Sequence, residues 1–262
     1  MGRTLQVVSG HVTTGGAGVF SALAANTGDS FVVANFEPSA KASLVDMWGT
    51  GAVATQLRLR SPRLHDQAQG IRLNLPLGAP QISLPPFNQP LYPGDALTFE
   101  VADTSAGELD VAGLLIEYDD LPGAAPRYES EAGIVSRIVN IIGVEVDVAA
   151  SATAGDWSAG RAMNADFDNL KAGIDYALLG FVGPLQQAAI AVAGPDTSNF
   201  KQGGMLRGVP IDDGQYFITR DRQLGRPSIP VINSNNKGNT LVYCASVANA
   251  GIKVSLILAQ LG

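Results

Sequence analysis

Gly94-Asp95-Ala96-Leu97-Thr98-Phe99-Glu100-Val101 reads as a polar turn feeding a strand, with Leu97 and Phe99 on one face. Gly238-Asn239-Thr240-Leu241-Val242-Tyr243-Cys244-Ala245 has the same form half a chain further on, with Leu241 and Tyr243 in those places. Each is followed by a second apolar strand, in which Leu109, Val111 and Leu115 line up with Ile252, Val254 and Leu258. Earlier in each half, Phe36–Ala42 aligns with Phe167–Gly173, and Trp48-Gly49 with Leu179-Gly180. A repeat of this kind sets the architecture before any motif is interpreted. The chain is expected to be built twice.

Within each half the strand signals are short and separated by clusters of Gly, Pro, Asn and Asp, as an all-β sandwich requires. The first half offers Leu5–Ser9, Phe31–Phe36, Ala52–Arg60, Gly70–Leu75, Ala96–Val101 and Leu109–Tyr118. The second offers Gly143–Ala149, Ala188–Ala193, Gly214–Thr219, Thr240–Ser246 and Gly251–Leu261. Further strands are expected inside the Gly-rich segments His11–Ala25 and Gln202–Val209. Glu129–Ile142 reads as a helix, because Ile134, Ile138, Val139 and Ile142 share a 3.6-residue face and Glu129 and Glu131 open it. It follows the turn Asp119-Asp120-Leu121-Pro122-Gly123, taken as the linker. The expected division is therefore residues 1–121, a linker and helix over 122–142, and residues 143–262. The Pro-rich run from Pro76 to Pro93 is expected to be an extended surface loop.

Charged residues make up 16% of the 262 residues, against roughly 25% in ordinary soluble domains. Charge is depleted in buried interface cores, so a neutral surface fits a protein covered by neighbouring copies. The basic residues are 12 Arg and 5 Lys, which leans toward interface chemistry. A net charge of −7 argues against a direct nucleic-acid grip. Arg58 and Arg60 alternate with Leu57 and Leu59, so they read as the outer face of a strand rather than a phosphate patch. Residues Met1–Gly10 lack the apolar core of a signal peptide, and the longest uncharged stretches are broken by Pro and Gln. Synthesis in the cytosol, with membrane contact at most peripheral, is expected.

No sequence feature supports catalysis or a cofactor. His11 and His65, the two histidines, lie far apart and cannot supply the close pair of a cupin metal centre. No Gly-x-Ser-x-Gly elbow is present, and Cys244 lies in an apolar strand pattern that suits a buried, inert thiol. With one cysteine there is no intrachain disulfide. Gly15-Gly16-Ala17-Gly18 lacks the Lys-Ser/Thr of a phosphate loop. Asp119-Asp120 and Asp212-Asp213-Gly214 are turn signals first, and Asp212 and Asp213 are weak candidates for calcium.

Two similar β-sandwich halves in one acidic, cysteine-poor chain resemble the double jelly-roll major capsid proteins of tailless icosahedral viruses, particularly those of membrane-containing bacteriophages. The resemblance spans the whole chain as architecture and carries no short signature motif, so no residue inherits a role from it. It implies two jelly-roll-like sandwiches with a short helix between them. It also implies a homotrimeric, pseudo-hexameric capsomer, and a virion location in which the partners are further copies and other virion proteins. The reading from another class is a carbohydrate-binding or adhesion module, such as a virion spike or lectin. That reading needs exposed aromatics, whereas Trp48 aligns with Leu179 and is expected in the core. A tandem β-sandwich enzyme ranks third.

Overall fold

The computed structural model describes residues 2–35, 41–49, 56–64, 69–75, 81–83, 89–184, 188–206, 211–248 and 250–262. Of these, 50% lie in strands and 9% are helical, in four sheets. The first half supplies β1 (Arg3–Thr13), β2 (Ser21–Ala22), β3 (Ala24–Ala25), β4 (Lys41–Gly49), β5 (Gln56–Arg60), β6 (Ile71–Asn74), β7 (Gln81–Ser83), β8 (Gln89–Leu91), β9 (Thr98–Ala102) and β10 (Leu109–Asp119). The second supplies β11 (Tyr128–Glu129), α1 (Glu131–Val135), β12 (Ile138–Val148), β13 (Arg161–Ala162), β14 (Asp175–Gly183), β15 (Ala188–Ala193) and β16 (Gln202–Leu206). It continues with β17 (Ile211–Asp213), α2 (Tyr216–Leu224), β18 (Ile229–Asn233), β19 (Leu241–Ser246) and β20 (Ile252–Leu261).

Strand order repeats between the halves. In the first, one sheet runs β3-β1-β10-β4-β7 with β8 also on β4, and the other runs β2-β9-β5-β6. In the second, one sheet runs β11-β18-β14-β20-β12 with β17 also on β14, and the other runs β13-β19-β15-β16. Thus β1, β10 and β4 have the same neighbours as β12, β20 and β14, while β2-β9-β5-β6 matches β13-β19-β15-β16. Even an irregularity recurs. Val45 is the extra residue where β4 pairs with β10, and Leu179 is the extra residue where β14 pairs with β20. Such a bulge bends its strand and re-aims the side chains beyond it.

Each half has its own core. In the first, Leu44, Met47, Leu114 and Ile116 of one sheet meet Leu57, Leu59, Phe99 and Val101 of the other. In the second, Val144, Leu178, Phe181, Leu256 and Leu258 meet Ile190, Val192, Val242 and Cys244. These sets follow the period-2 alternation that puts one side of each strand inward.

The structure corrects several expectations. Glu129–Ile142 is not one helix: α1 covers only Glu131–Val135, capped by Ser130, and Ile138 onward is β12. Residues 142, 144, 146 and 148 face the core at strand spacing, and that longer pattern prevails over the helical one. Gly214–Thr219 is not a strand but leads into α2, which buries Tyr216, Phe217, Arg220 and Asp221 and ends at Gly225 in the left-handed region. Phe31–Phe36 forms no strand over its described residues, and Val32 makes only an isolated bridge to Ala96. Inside the Pro-rich run, β7 and β8 pair with β4, so that run is not a plain loop, and Pro90 sits in a short edge strand. Residues 52–55 of the expected strand Ala52–Arg60, and His65, lie outside the described residues.

The proposed repeat register is also off: Val45, not Trp48, stands where Leu179 stands, a slip of three residues, and the closing strands slip by one. Counted from the bulges, Leu115 corresponds to Ile257, not Leu258, and Phe99 sits where Val242 sits, not Tyr243. A slip of one residue exchanges the two faces of a strand. Leu258 is indeed in its core, whereas Leu115 and Tyr243 belong to a third cluster, between the halves.

Candidate assembly interface

Runs such as Leu5-Gln6-Val7-Val8, Leu44-Val45 and Leu114-Leu115-Ile116 are apolar on both faces of their strands, which a sheet buried on one side does not need. The second face is used to join the halves. Leu5 and Val7 of β1, Val45 and Trp48 of β4, and Val111 and Leu115 of β10 point away from the first core. They pack on Ala189 and Ala191 of β15 and Ala245 of β19, with Trp157 and Tyr243 at the margin. The small alanine side chains make a smooth sheet face, and Gly113 leaves room for the indole of Trp48 beside it.

Ion pairs edge this apolar contact, and each carries its acid on the first half and a base on the second. Lys201 Nζ lies 2.6 Å from Asp29, Arg220 lies 2.9 Å from Asp46, and Arg226 lies 2.8 Å from Glu117. Glu117 is also held by Arg3 at 2.9 Å from the first half's own β1. The side chains of all three acids are buried, so removing a partner leaves a charge that burial penalises. Asp29 accepts further bonds from the Ser9 backbone N–H, the Ser9 hydroxyl and Trp157 Nε1. Lys201 Nζ lies 5.5 Å from the ring centres of both Trp157 and Tyr243, a cation–π arrangement. Thr27 donates from its backbone N–H and its hydroxyl to Asp156. Burial opposes the Asp156 charge, but these bonds outweigh it and hold its carboxyl below the usual carboxylate range. These contacts tie the two halves together at this junction.

The residues singled out from sequence fall as follows. Trp48 and Trp157 are both buried, at 1% and 3% exposure, and both at the junction of the halves. Burial pushes the Cys244 thiol up to about 12, the value of an unreactive cysteine. His11 pairs with Asn26, and Asp120 accepts the Gly2 N–H at a left-handed turn. Asp213 lies in β17 opposite Phe181, and the side chain of Asp212 is outside the description. Among the described residues no group of three or more His, Cys, Asp or Glu could hold a metal. Among them also, no helix is long and apolar enough to cross a membrane.

Arg58 and Arg60 do lie on an outer strand face. Both engage Glu100 of the next strand, at 2.6 and 2.7 Å, and Arg58 and Arg72 lie over the Phe20 ring. A crevice of about 340 Å³ opens at the junction beside Thr27, Asp29, Lys201 and Tyr243. A larger groove, about 730 Å³, lies on the outer side of the β12-β20-β14 sheet, against α2. Comparison with known proteins finds no matching family model and no similar curated sequence.

Proposed function

We propose that the chain is a viral major capsid protein, a tandem of two jelly rolls that self-assembles through trimeric, pseudo-hexameric capsomers. The observation that carries this reading is the strand succession, β1-β10-β4 with β7 and β8 beside β2-β9-β5-β6, which recurs strand for strand in the second half. That succession suits a jelly roll, whose eight principal strands divide between two packed sheets. The low charge supports it, because a shell subunit hides much of its surface against neighbours. So does the apolar contact between the halves, rimmed by ion pairs, since a lattice needs subunits of fixed shape.

In this reading the protein has no catalytic role and binds no cofactor. Its place is the virion, after synthesis in the host cytoplasm. Its partners are its own copies and other virion proteins, and any membrane contact is peripheral. Buried tryptophans at the junction weigh against the carbohydrate-binding alternative, which needs aromatic rings at the surface.

Light scattering on the purified protein, followed by electron microscopy at rising concentration, tests the proposal. The expected result is a trimer that builds into shells or sheets of regular capsomers. A monodisperse monomer at micromolar concentration, or a monomer that binds on a glycan array, would overturn it.

A further inference from the structure

In each half one long strand lies beside the last, β1 beside β10 and β12 beside β20. Counted through those partners, Leu5, Val7, Ser9 and His11 of β1 stand where Ile141, Gly143, Glu145 and Asp147 of β12 stand. At each of these positions the backbone N–H and C=O point away from the partner strand, toward the edge of the sheet. On β1 that edge is covered. The Leu5 N–H donates to the Tyr128 hydroxyl and its carbonyl accepts from Gln202, the Val7 N–H donates to the Lys201 carbonyl, and the Ser9 N–H donates to Asp29. The Ser9 carbonyl accepts the Asn26 N–H, and β3 pairs with Gly10 and His11.

On β12 the same edge is open. The Asp147 N–H donates to Asp166 at 2.9 Å, which fixes the direction of the alternation. The outward groups of Ile141, Gly143 and Glu145 have no hydrogen-bond partner among the described residues. Ile138 and Ile142 pack on the core and yet stay half-buried, as residues beside an uncovered edge do. Proteins blunt such edges with lysine, proline, a bulge or a covering element. From Asn140 to Val148 the strand has no lysine, no proline and no shift of register.

The open stretch is self-complementary. It ends at Asp147, whose N–H is taken by Asp166, and at the irregularity between Ile138 and Asn140. Its midpoint is Gly143. A second β12 laid antiparallel about a two-fold axis there sets Gly143 opposite Gly143 and Ile141 opposite Glu145, so that each outward N–H meets an outward carbonyl. Space and charge select that register. A Cβ built on Gly143 meets nothing within 4 Å. The two Glu145 carboxylates then lie four residues apart along the strands, roughly 14 Å, beyond a Debye length of about 8 Å. Moving the axis to Glu145 would set them face to face. Lys253 Nζ lies 4.0 Å from Glu145 and 3.9 Å from Asp147 and offsets part of their charge. Ile141, 56% exposed, packs over the aliphatic stem of Glu145 in the second copy.

We infer that the open edge of β12 pairs with the same edge of a second copy of this chain, antiparallel about a two-fold axis at Gly143, joining the two six-stranded sheets into one. The contact is isologous, the same residues serving both sides. Its ladder covers only Ile141–Glu145, so it is weak by itself and matters where many copies are held close. It stands on the strand edge and not on the capsid reading, in which it would link one capsomer to the next.

A single engineered cysteine tests it, since the native Cys244 is buried. Gly143 is exposed and has room for a side chain, so Gly143→Cys is expected to fold. The paired α-carbons would lie about 5.5 Å apart, within the range that a disulfide spans. Under catalysed oxidation of the full chain, Gly143→Cys should give a disulfide-linked dimer on a non-reducing gel. Ile141→Cys, whose copies would lie roughly 14 Å apart, should not. Gly143→Lys sets two ammonium groups side by side and should weaken two-fold association by roughly tenfold or more in analytical ultracentrifugation, with an unfolding midpoint no lower than the parent's. Equal dimer yields from the two cysteine variants would overturn the inference, as would a parent that stays monomeric at every concentration. Trimers or shells that form while Gly143→Cys gives no cross-link would also overturn it, and would leave the capsid reading standing.

Discussion

Gly113→Ala is the sharpest probe of how the two halves are joined. Gly113 of β10 lies directly opposite Trp48 of β4, on the face turned toward the second half. A methyl group there would lie 2.0 Å from Trp48 Cζ2 and 2.3 Å from Cε2, whereas carbon atoms in contact prefer roughly 3.5–4.0 Å. The indole must therefore move by about 1.5 Å to restore contact distance. It is 1% exposed and packed in the cluster with Ala189 and Ala191, and such interiors have little free space. Overpacking costs about 1–3 kcal/mol, and this clash belongs at the upper end, near 3 kcal/mol. That is a large share of a total stability of roughly 5–15 kcal/mol. Trp48→Leu removes the obstacle, so adding Gly113→Ala to it should cost little further, giving a coupling of about 2–3 kcal/mol. Urea denaturation followed by far-ultraviolet circular dichroism measures all four proteins. If Gly113→Ala alone stays within about 0.5 kcal/mol of the parent, the packing described for the joint is wrong.

The buried pair Asp46–Arg220 makes a second test: Arg220→Met should lose about 3–5 kcal/mol by stranding a carboxylate, and Asp46→Leu in the same molecule should recover most of it. Denaturation midpoints of the single and double variants decide the matter. For Glu100, burial raises the carboxyl pKa but hydrogen bonds from Arg60 and Arg58 outweigh it, so the folded value is lowered. A lowered folded value means the stabilisation is present above the unfolded value of about 4.3 and is lost as pH falls through the folded one. Glu100→Gln should therefore lose less stability than the parent between about pH 5 and pH 3, as read from urea midpoints. Cys244, with its thiol pushed up to about 12 by burial, should ignore a thiol reagent at neutral pH until the protein unfolds, and rapid native labelling would contradict its placement.

All-β character was legible from short alternating runs set between Gly, Pro, Asn and Asp, because the period of a strand is local. Most strand positions follow from this, including β5, β10, β15, β19 and β20. Elements whose local pattern was ambiguous went astray: Gly214–Thr219 holds Tyr216 and Ile218 at strand spacing, yet it enters α2, where Tyr216 and Arg220 share a buried helix face. The strands β4 and β14, central to their sheets, lacked clear alternation because both of their faces are covered.

What the chain determined by itself is composition and period: few charges, one cysteine in an apolar strand pattern, and short alternating strands. Which face of each strand meets which neighbour was decided only in three dimensions. Leu115 and Leu258 are equally apolar, but Leu115 stands where Ile257 stands and Leu258 where Ile116 stands, so one seals the joint between the halves while the other fills a core. Likewise Asp29, Asp46 and Glu117 are unremarkable acids in sequence. They form a rim only because folding brings Lys201, Arg220 and Arg226 from the far half within about 3 Å, where the buried carboxylates need a neighbouring positive charge.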